Sequence, residues 1–324
     1  MRPPALRGAA AVLPRAPLLT APTPVEELPR LRDAIGASAR LHVKRDDAIP
    51  FGFGGNKVRK LALVGGRAAA DGADTLITCG GVQSNHARAT ASAATRLGMR
   101  CLLVANGSPP DRLTGNALLD RLLGAQVHFV DSRDDRAPAM ERLAAEARAS
   151  GHRPFVIPLG ASTPLGAAAF VLAVAELAEQ MDPPDAIVHA SSSGGTQAGL
   201  VAGCRALGWA TRVVGISADE EAATLRGVVE EIIEGIADLL PGVPVGGGAA
   251  VEVDDRFVGE GYGIPTLASR EAQSLAARTE ALFLDPTYTA KAMAGLIALC
   301  RGGSLARARS VLFWHTGGLP GIFA

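Results

Sequence analysis

Thr75-Leu-Ile-Thr-Cys-Gly-Gly-Val-Gln-Ser-Asn-His-Ala-Arg-Ala-Thr90 is the stretch from which the fold can be read. Residues 75–78 form a short apolar, β-branched run bounded by glycines, the pattern of a buried strand. An alanine-rich helix follows over 85–97, and the polar loop between them leaves the carboxyl end of the strand. The same unit recurs downstream, with strands expected over 100–105, 126–130 and 154–157 and helices over 113–123 and 137–150. Short apolar strands alternating with helices of ten to fifteen residues mean parallel βαβ units. A second block repeats the pattern: helix 165–181, strand 186–190, helix to 207, strand 212–217, helix 222–239, strand 249–253, helices 271–280 and 288–300, strand 310–314. Upstream, a helix is expected over 26–35, a strand over 41–45 and a helix over 57–71. Pro3, Pro4, Pro14 and Pro17 predict an extended strap rather than a helix for the first twenty-five residues.

Composition narrows the function classes. The 324 residues are 48% hydrophobic, and 32 basic residues balance 32 acidic ones. That excludes a polybasic surface for nucleic acid or membrane. Aromatic residues at 4% supply no stacking platform, and no apolar run is long enough to span a bilayer. Cys79, Cys101, Cys204 and Cys300 form no Cys-x-x-Cys pair and read as buried small hydrophobes of a reducing, cytoplasmic protein. The six histidines show no metal-ligand spacing, so no metal is expected.

Five segments carry the chemistry. In Phe51-Gly-Phe-Gly-Gly-Asn-Lys-Val-Arg-Lys-Leu61, glycines precede Lys57 at an expected helix start. The electropositive helix N-terminus disfavours a second positive charge, so Lys57 is a candidate Schiff-base nucleophile. The bland alternative is a solvated lysine beside Arg59 and Lys60. Ser191-Ser-Ser-Gly-Gly-Thr-Gln-Ala-Gly199 joins a strand to a helix and offers backbone N–H and hydroxyl donors to an anion such as a phosphate. It matches neither the dinucleotide nor the Walker fingerprint. In the 79–86 loop, Ser84 suits a helix N-cap, while Asn85 and His86 add polar groups suited to a carboxylate or phenolic oxygen. Tyr262 and Tyr288, the two tyrosines, stand in a glycine turn and at a helix start. Asp285 and Lys291 are expected to support a loop and a solvated helix face.

Jointly, several segments resemble the D-cysteine desulfhydrase and 1-aminocyclopropane-1-carboxylate deaminase family of pyridoxal-phosphate enzymes. They are Lys44-Arg-Asp-Asp47, Gly54-Gly-Asn-Lys-Val-Arg-Lys-Leu61, Gln83-Ser-Asn-His86, Ser193-Gly-Gly-Thr-Gln-Ala-Gly199, Asp285-Pro-Thr-Tyr-Thr-Ala-Lys291 and His315-Thr-Gly-Gly318. The resemblance implies a tryptophan-synthase-β-like α/β fold of two domains, each an open, mostly parallel twisted sheet flanked by helices, with the cofactor in the cleft between them. Residues 1–62 and 165–324 would form the large cofactor-binding domain and 63–164 a small inserted one. It implies pyridoxal 5'-phosphate joined covalently to Lys57, with its phosphate on Ser193, Gly194, Gly195 and Thr196 and its ring hydroxyl on Asn85. It further implies a substrate held by Ser84, Asn85, His86, Tyr262 and Tyr288, with Lys57, Ser84 and Tyr288 in catalysis, and a homodimeric assembly.

Ring-opening deaminases of that family carry Glu and Leu where this chain has Thr289 and Thr316. A neutral hydroxyl at the pyridine nitrogen suits β-elimination, where the leaving group takes the electrons. The resemblance therefore points to a lyase acting on a small amino acid, D-cysteine foremost. The alternatives are ring opening of 1-aminocyclopropane-1-carboxylate, elimination from cysteate or serine, and a non-catalytic binder of a phosphate ligand. Ala62 departs from the family's Glu, and Phe51 and Phe53 add bulk to the glycine loop.

Overall fold

The computed structural model describes residues 1–248 and 250–324. In chain order the elements are α1 (Pro3–Ala9), β1 (Val25–Glu27), α2 (Pro29–Ile35), β2 (Arg40–Arg45), α3 (Asn56–Ala70), β3 (Thr75–Gly81), α4 (Asn85–Leu97), β4 (Arg100–Asn106), α5 (Gly115–Leu122), β5 (Gln126–Val130), α6 (Arg136–Ala149) and β6 (Pro154–Val156). The second block supplies α7 (Pro164–Leu177), β7 (Ala186–Ser191), α8 (Gly195–Ala206), β8 (Arg212–Ser217), α9 (Ala222–Leu239), β9 (Glu252–Asp254), α10 (Leu267–Glu280), α11 (Thr289–Arg301) and β10 (Ser310–His315). Of the strand expected over 249–253, Ala249 lies outside the described residues.

Two sheets result, in the orders β1-β2-β10-β7-β8-β9 and β5-β4-β3-β6. Every pairing is parallel except β1 with β2. The fold is thus α/β with two mostly parallel sheets. The expected domain boundary at residue 62 falls inside α3, which runs unbroken from Asn56 to Ala70.

Local chemistry starts the helices. Ser84 accepts a hydrogen bond from Ala87 N at the start of α4. Thr163 does the same for Gly166 N in α7, and Pro164 takes the first helical position, where no N–H is needed. The apolar residues of α7 surround it on all sides, and nearly all are buried, as a helix packed on every face requires. Phe170 of α7 meets Trp314 of β10 edge-on, with ring centroids 5.8 Å apart.

Three expectations fail for identifiable reasons. The helix expected over 26–35 is split: β1 pairs antiparallel with β2, and the helix begins only at Pro29, since the residue before a proline is pushed towards extended backbone. The strap is not extended at its start, because Pro3 and Pro4 occupy the first turn of α1, the one place a helix tolerates proline. Lys291 is not on a solvated face: it is buried, and its Nζ donates to Ala218 O, Val258 O and Gly261 O at 3.0, 2.8 and 2.8 Å.

The N-terminal segment crosses α3 where side chains are smallest. Ala16 N donates to Ala62 O at 2.7 Å, and a Cβ on Gly66 would lie 2.6–2.7 Å from the Arg15 backbone. Gly66→Ala should therefore cost roughly 1–3 kcal/mol by overpacking and speed tryptic cleavage at the exposed Arg15. An unchanged thermal midpoint with an unchanged digestion rate would contradict this packing.

Beside this crossing lies a buried charge network. Lys44 Nζ reaches Glu176 Oε1 at 2.6 Å, and Arg59 binds Asp46 at 2.8 Å and Glu176 at 2.9 Å. Trp314 Nε1 donates to Asp46 Oδ2 at 2.8 Å. The alternation of basic residues in β2 therefore points Lys44 inward to a partner, not to water.

Candidate active site

A cavity of about 590 Å³ opens where both sheets present the carboxyl ends of their strands. Its walls include Gly80 and Gly81 at the end of β3 with Ser84, Asn85 and His86 beyond it, Asn106 at the end of β4, Arg133 after β5, Ala190–Gly194 at and beyond the end of β7, Asp219 after β8 and Thr316–Gly317 after β10. Loops at strand carboxyl ends are where open parallel sheets bind ligands.

Lys57 is the second residue of α3, following the positive-φ glycines Gly54 and Gly55 (φ 67° and 97°). A Cβ on Gly54 would lie 2.5 Å from Asp47 O, and one on Gly55 would lie 3.0 Å from Thr316 O, so both glycines are required by close backbone approach. Enclosure by the cavity walls lowers the Lys57 pKa to about 8, against the opposing pull of the Asp219 carboxylate. The direction matches the expectation, but enclosure supplies it.

The nest at the start of α8 is assembled from three segments. Gly194 has φ 76°, and a Cβ on Gly195 would lie 2.7 Å from Ser162 Oγ and 2.8 Å from Lys60 Nζ. Ser193 and Ser162 share a hydrogen bond of 2.7 Å. Lys60, one turn beyond Lys57, donates to Ser162 Oγ at 3.0 Å and Gly160 O at 3.1 Å. Thr196 Oγ1 accepts from Asn56 Nδ2 at 3.0 Å, which leaves its own proton to donate. A doubly charged phosphate fits this set of helix N–H groups, hydroxyls and one buried lysine: burial and then Lys57 hold the Lys60 pKa well below the usual lysine value, and an anion in the nest would favour its charged form.

Opposite lies the start of α4. Asn85 Oδ1 accepts from Asn116 Nδ2 at 2.9 Å, so its amide nitrogen is the group left to donate. His86 is buried against Thr78 Oγ1 at 2.8 Å; burial and then the Lys57 and Lys60 charges push its pKa well below the usual value, and it stays neutral. Tyr262 and Tyr288 place their hydroxyls 2.5 Å apart. Burial and then Tyr262 raise the Tyr288 pKa well above its usual value, so it remains a proton donor. Asp285 accepts from Thr287 N, Tyr288 N and Thr289 N at 2.9–3.0 Å and so fixes Tyr288 at the head of α11. Lys291 holds the Gly261 carbonyl at 2.8 Å beside Tyr262.

Lys57, Ser84, Asn85, His86, Ser193, Gly194, Thr196, Tyr262, Tyr288 and Thr316 all line this one cavity; Gly195 and Thr289 are not on its wall. The Thr289 hydroxyl is occupied, donating to Asp285 Oδ1 at 2.7 Å and accepting from Asp285 N at 2.8 Å. Reading the sequence missed Asn56, Lys60, Ser162, Arg133 and Asp219. Lys60 had a signal, because residues three apart share a helix face. Ser162 follows β6 in a loop of the same type as the others. Arg133 and Asp219 carried none. Among the described residues no cluster suits a metal ion, and no helix is long and apolar enough to cross a membrane.

An enclosed lysine, an anion nest and a polar pocket in the cleft of a two-sheet α/β fold form a set that suits pyridoxal phosphate. The chain belongs to the pyridoxal-phosphate-dependent enzyme family, whose sequence profile matches residues 17–317. It is 39% identical over 319 residues to a D-cysteine desulfhydrase of Salmonella newport (strain SL254), covering 96% of each chain. The crystal structure of an ACC deaminase homologue superimposes with a TM-score of 0.92 at 37% identity, covering 99% of this chain and 96% of the other. A pyridoxal 5'-phosphate-dependent aspartate racemase shares the fold at a TM-score of 0.69 and 17% identity.

Proposed function

We propose that the protein is a lyase that removes the β-substituent of a small amino acid, with D-cysteine as the leading substrate and pyruvate, sulfide and ammonia as products. The observation that carries this reading is the pairing, in one cavity, of an amine with its pKa lowered to about 8 at Lys57 with the anion nest of Ser193, Gly194 and Thr196, which Gly195 supports from behind the wall. Bound cofactor would supply an electron sink for the bond broken at Cα.

In this reading Lys57 is the residue that would hold the cofactor aldehyde covalently. Lys60 would offset the phosphate charge, Thr196 would donate a hydrogen bond to it, and Asn85 would donate to the ring hydroxyl. Thr316, which lines the cavity, would offer a neutral hydroxyl to the pyridine nitrogen, which suits elimination. Ser84 and the N–H groups of α4 receive the substrate carboxylate, with His86 behind them. Lys57 Nζ, when free, would take the Cα proton, and the Tyr288 hydroxyl, hydrogen-bonded to Tyr262, would give a proton to the departing sulfur. The large domain at 1–62 and 165–324 and the small one at 63–164 are part of this reading. So are a cytoplasmic homodimer and the absence of nucleic-acid or membrane partners, which the balanced charge supports.

Tyr288→Phe should lower turnover by ~10²–10⁴-fold, the worth of one general acid, while the absorbance of the bound cofactor persists. Sulfide, ammonia and 2-oxo-acid release from D-cysteine, serine, cysteate and 1-aminocyclopropane-1-carboxylate tests the reaction itself. Release of 2-oxobutyrate from the cyclopropane substrate, with no sulfide from cysteine, would overturn elimination.

A further inference from the structure

One cavity carboxylate has no part in the chemistry above. Asp219 lies two residues beyond β8 on the cavity wall, and its side chain is 9% exposed. Its Oδ1 is buried and has no hydrogen-bond partner among the described residues. A paired cation, Arg133, stands 3.8 Å from Oδ2 and is itself 48% exposed. Its guanidinium rests on the Tyr262 ring, 5.1 Å from the centroid. A pair that loose, with one member in water, contributes little, and it leaves Oδ1 unfilled. A buried acceptor without a donor costs free energy, so its persistence calls for a use. The charge of Asp219 also bears on Lys57, Tyr262 and Tyr288, the groups assigned to proton transfer.

We propose that Asp219 is a specificity-determining residue that reads the β-substituent of the substrate. Its carboxylate accepts a hydrogen bond from a thiol, hydroxyl or ammonium and repels a sulfonate, phosphate or carboxylate. The inference rests on the lyase reading and deepens it. The rival is Arg133, which would favour anionic substituents by leaving Asp219 for them. Asp219 prevails because it is enclosed and directed by its strand, whereas the Arg133 charge is half in water on the loop between β5 and α6. Like charges brought together in such a pocket discriminate strongly.

The test uses two amino acids without a Cα proton, α-methylserine and α-methylaspartate, which occupy the site and cannot eliminate. Calorimetry on the holoenzyme should show α-methylserine binding at least about tenfold tighter, with Asp219→Asn erasing most of that ratio. In turnover, the same variant should raise kcat/KM for cysteate relative to serine. A wild-type preference for α-methylaspartate would overturn the proposal and assign the discrimination to Arg133. A variant that weakens every ligand equally would also overturn it, by showing that Asp219 serves Lys57 alone. If the variant fails to fold, the wild-type ratio decides. A protein that takes up no pyridoxal phosphate sinks the lyase reading and this inference together; a loaded enzyme with the reverse preference sinks only this one.

Discussion

Lys57→Ala is expected to give a folded protein with no visible absorbance from covalently held pyridoxal phosphate and almost no turnover. The loss should exceed the ~10²–10⁴-fold effect of removing one general acid–base group, because the nucleophile and the carrier of the Cα proton disappear together. The wall of the cavity explains why this amine is suited to the task. With its pKa lowered to about 8, roughly half of Lys57 is neutral at pH 8, where an ordinary lysine is below about 1% neutral. Lys60 does not replace it, since its Nζ is tied to Gly160 O and Ser162 Oγ. Circular dichroism verifies the fold of the variant; a retained visible band would remove Lys57 from the mechanism.

Glu176→Ala is expected to be the most destabilising single change away from the cavity. Glu176 joins Lys44 and Arg59, two buried cations, through contacts of 2.6 and 2.9 Å. Burial alone would raise its pKa; the hydrogen bond and charge of Arg59, and then of Lys44, overcome this and bring it to about 2 from 4.5. Removing one member of a buried ion network costs ~3–5 kcal/mol, here because two buried cations, Lys44 and Arg59, are left with the single carboxylate of Asp46, which of the two only Arg59 contacts. The pH dependence has a defined sign. The carboxylate's folded-state pKa is depressed, so its contribution is complete above the unfolded value near 4.5 and drains as pH falls towards about 2. The amount involved is on the order of 3 kcal/mol. Urea titrations of wild type and variant at pH 7 and pH 3 measure both quantities. A variant within about 1 kcal/mol of wild type at pH 7 would refute the network's role.

The alternation of strands and helices was legible because most strands of the two sheets are short apolar runs joined by helices; β1 (Val25–Glu27) and β9 (Glu252–Asp254) are short and acidic and lack that signal. The boundaries that failed are those where proline reads two ways: Pro3 and Pro4 start α1, and Pro29 starts α2. The phosphate nest was legible in part, since the Ser191–Gly199 segment lies on a strand-to-helix turn. Its other half is contributed by Lys60 and Ser162, which are 102 positions apart, and only the packing of α3 on the 159–163 loop brings them together. Burial was the hardest property to read. Lys44, Lys60 and Lys291 are all buried, though each stands in a segment whose pattern suggests a wet face. Their partners, Glu176, Gly160 O and Gly261 O, come from elsewhere in the chain.

Borohydride reduction of the pyridoxal-phosphate-loaded protein, followed by peptide mapping, tests the central assignment most directly. The account predicts a stable pyridoxyl group on Lys57 and on no other residue. A group found on Lys60, or a loaded protein that yields no modified lysine, would contradict it.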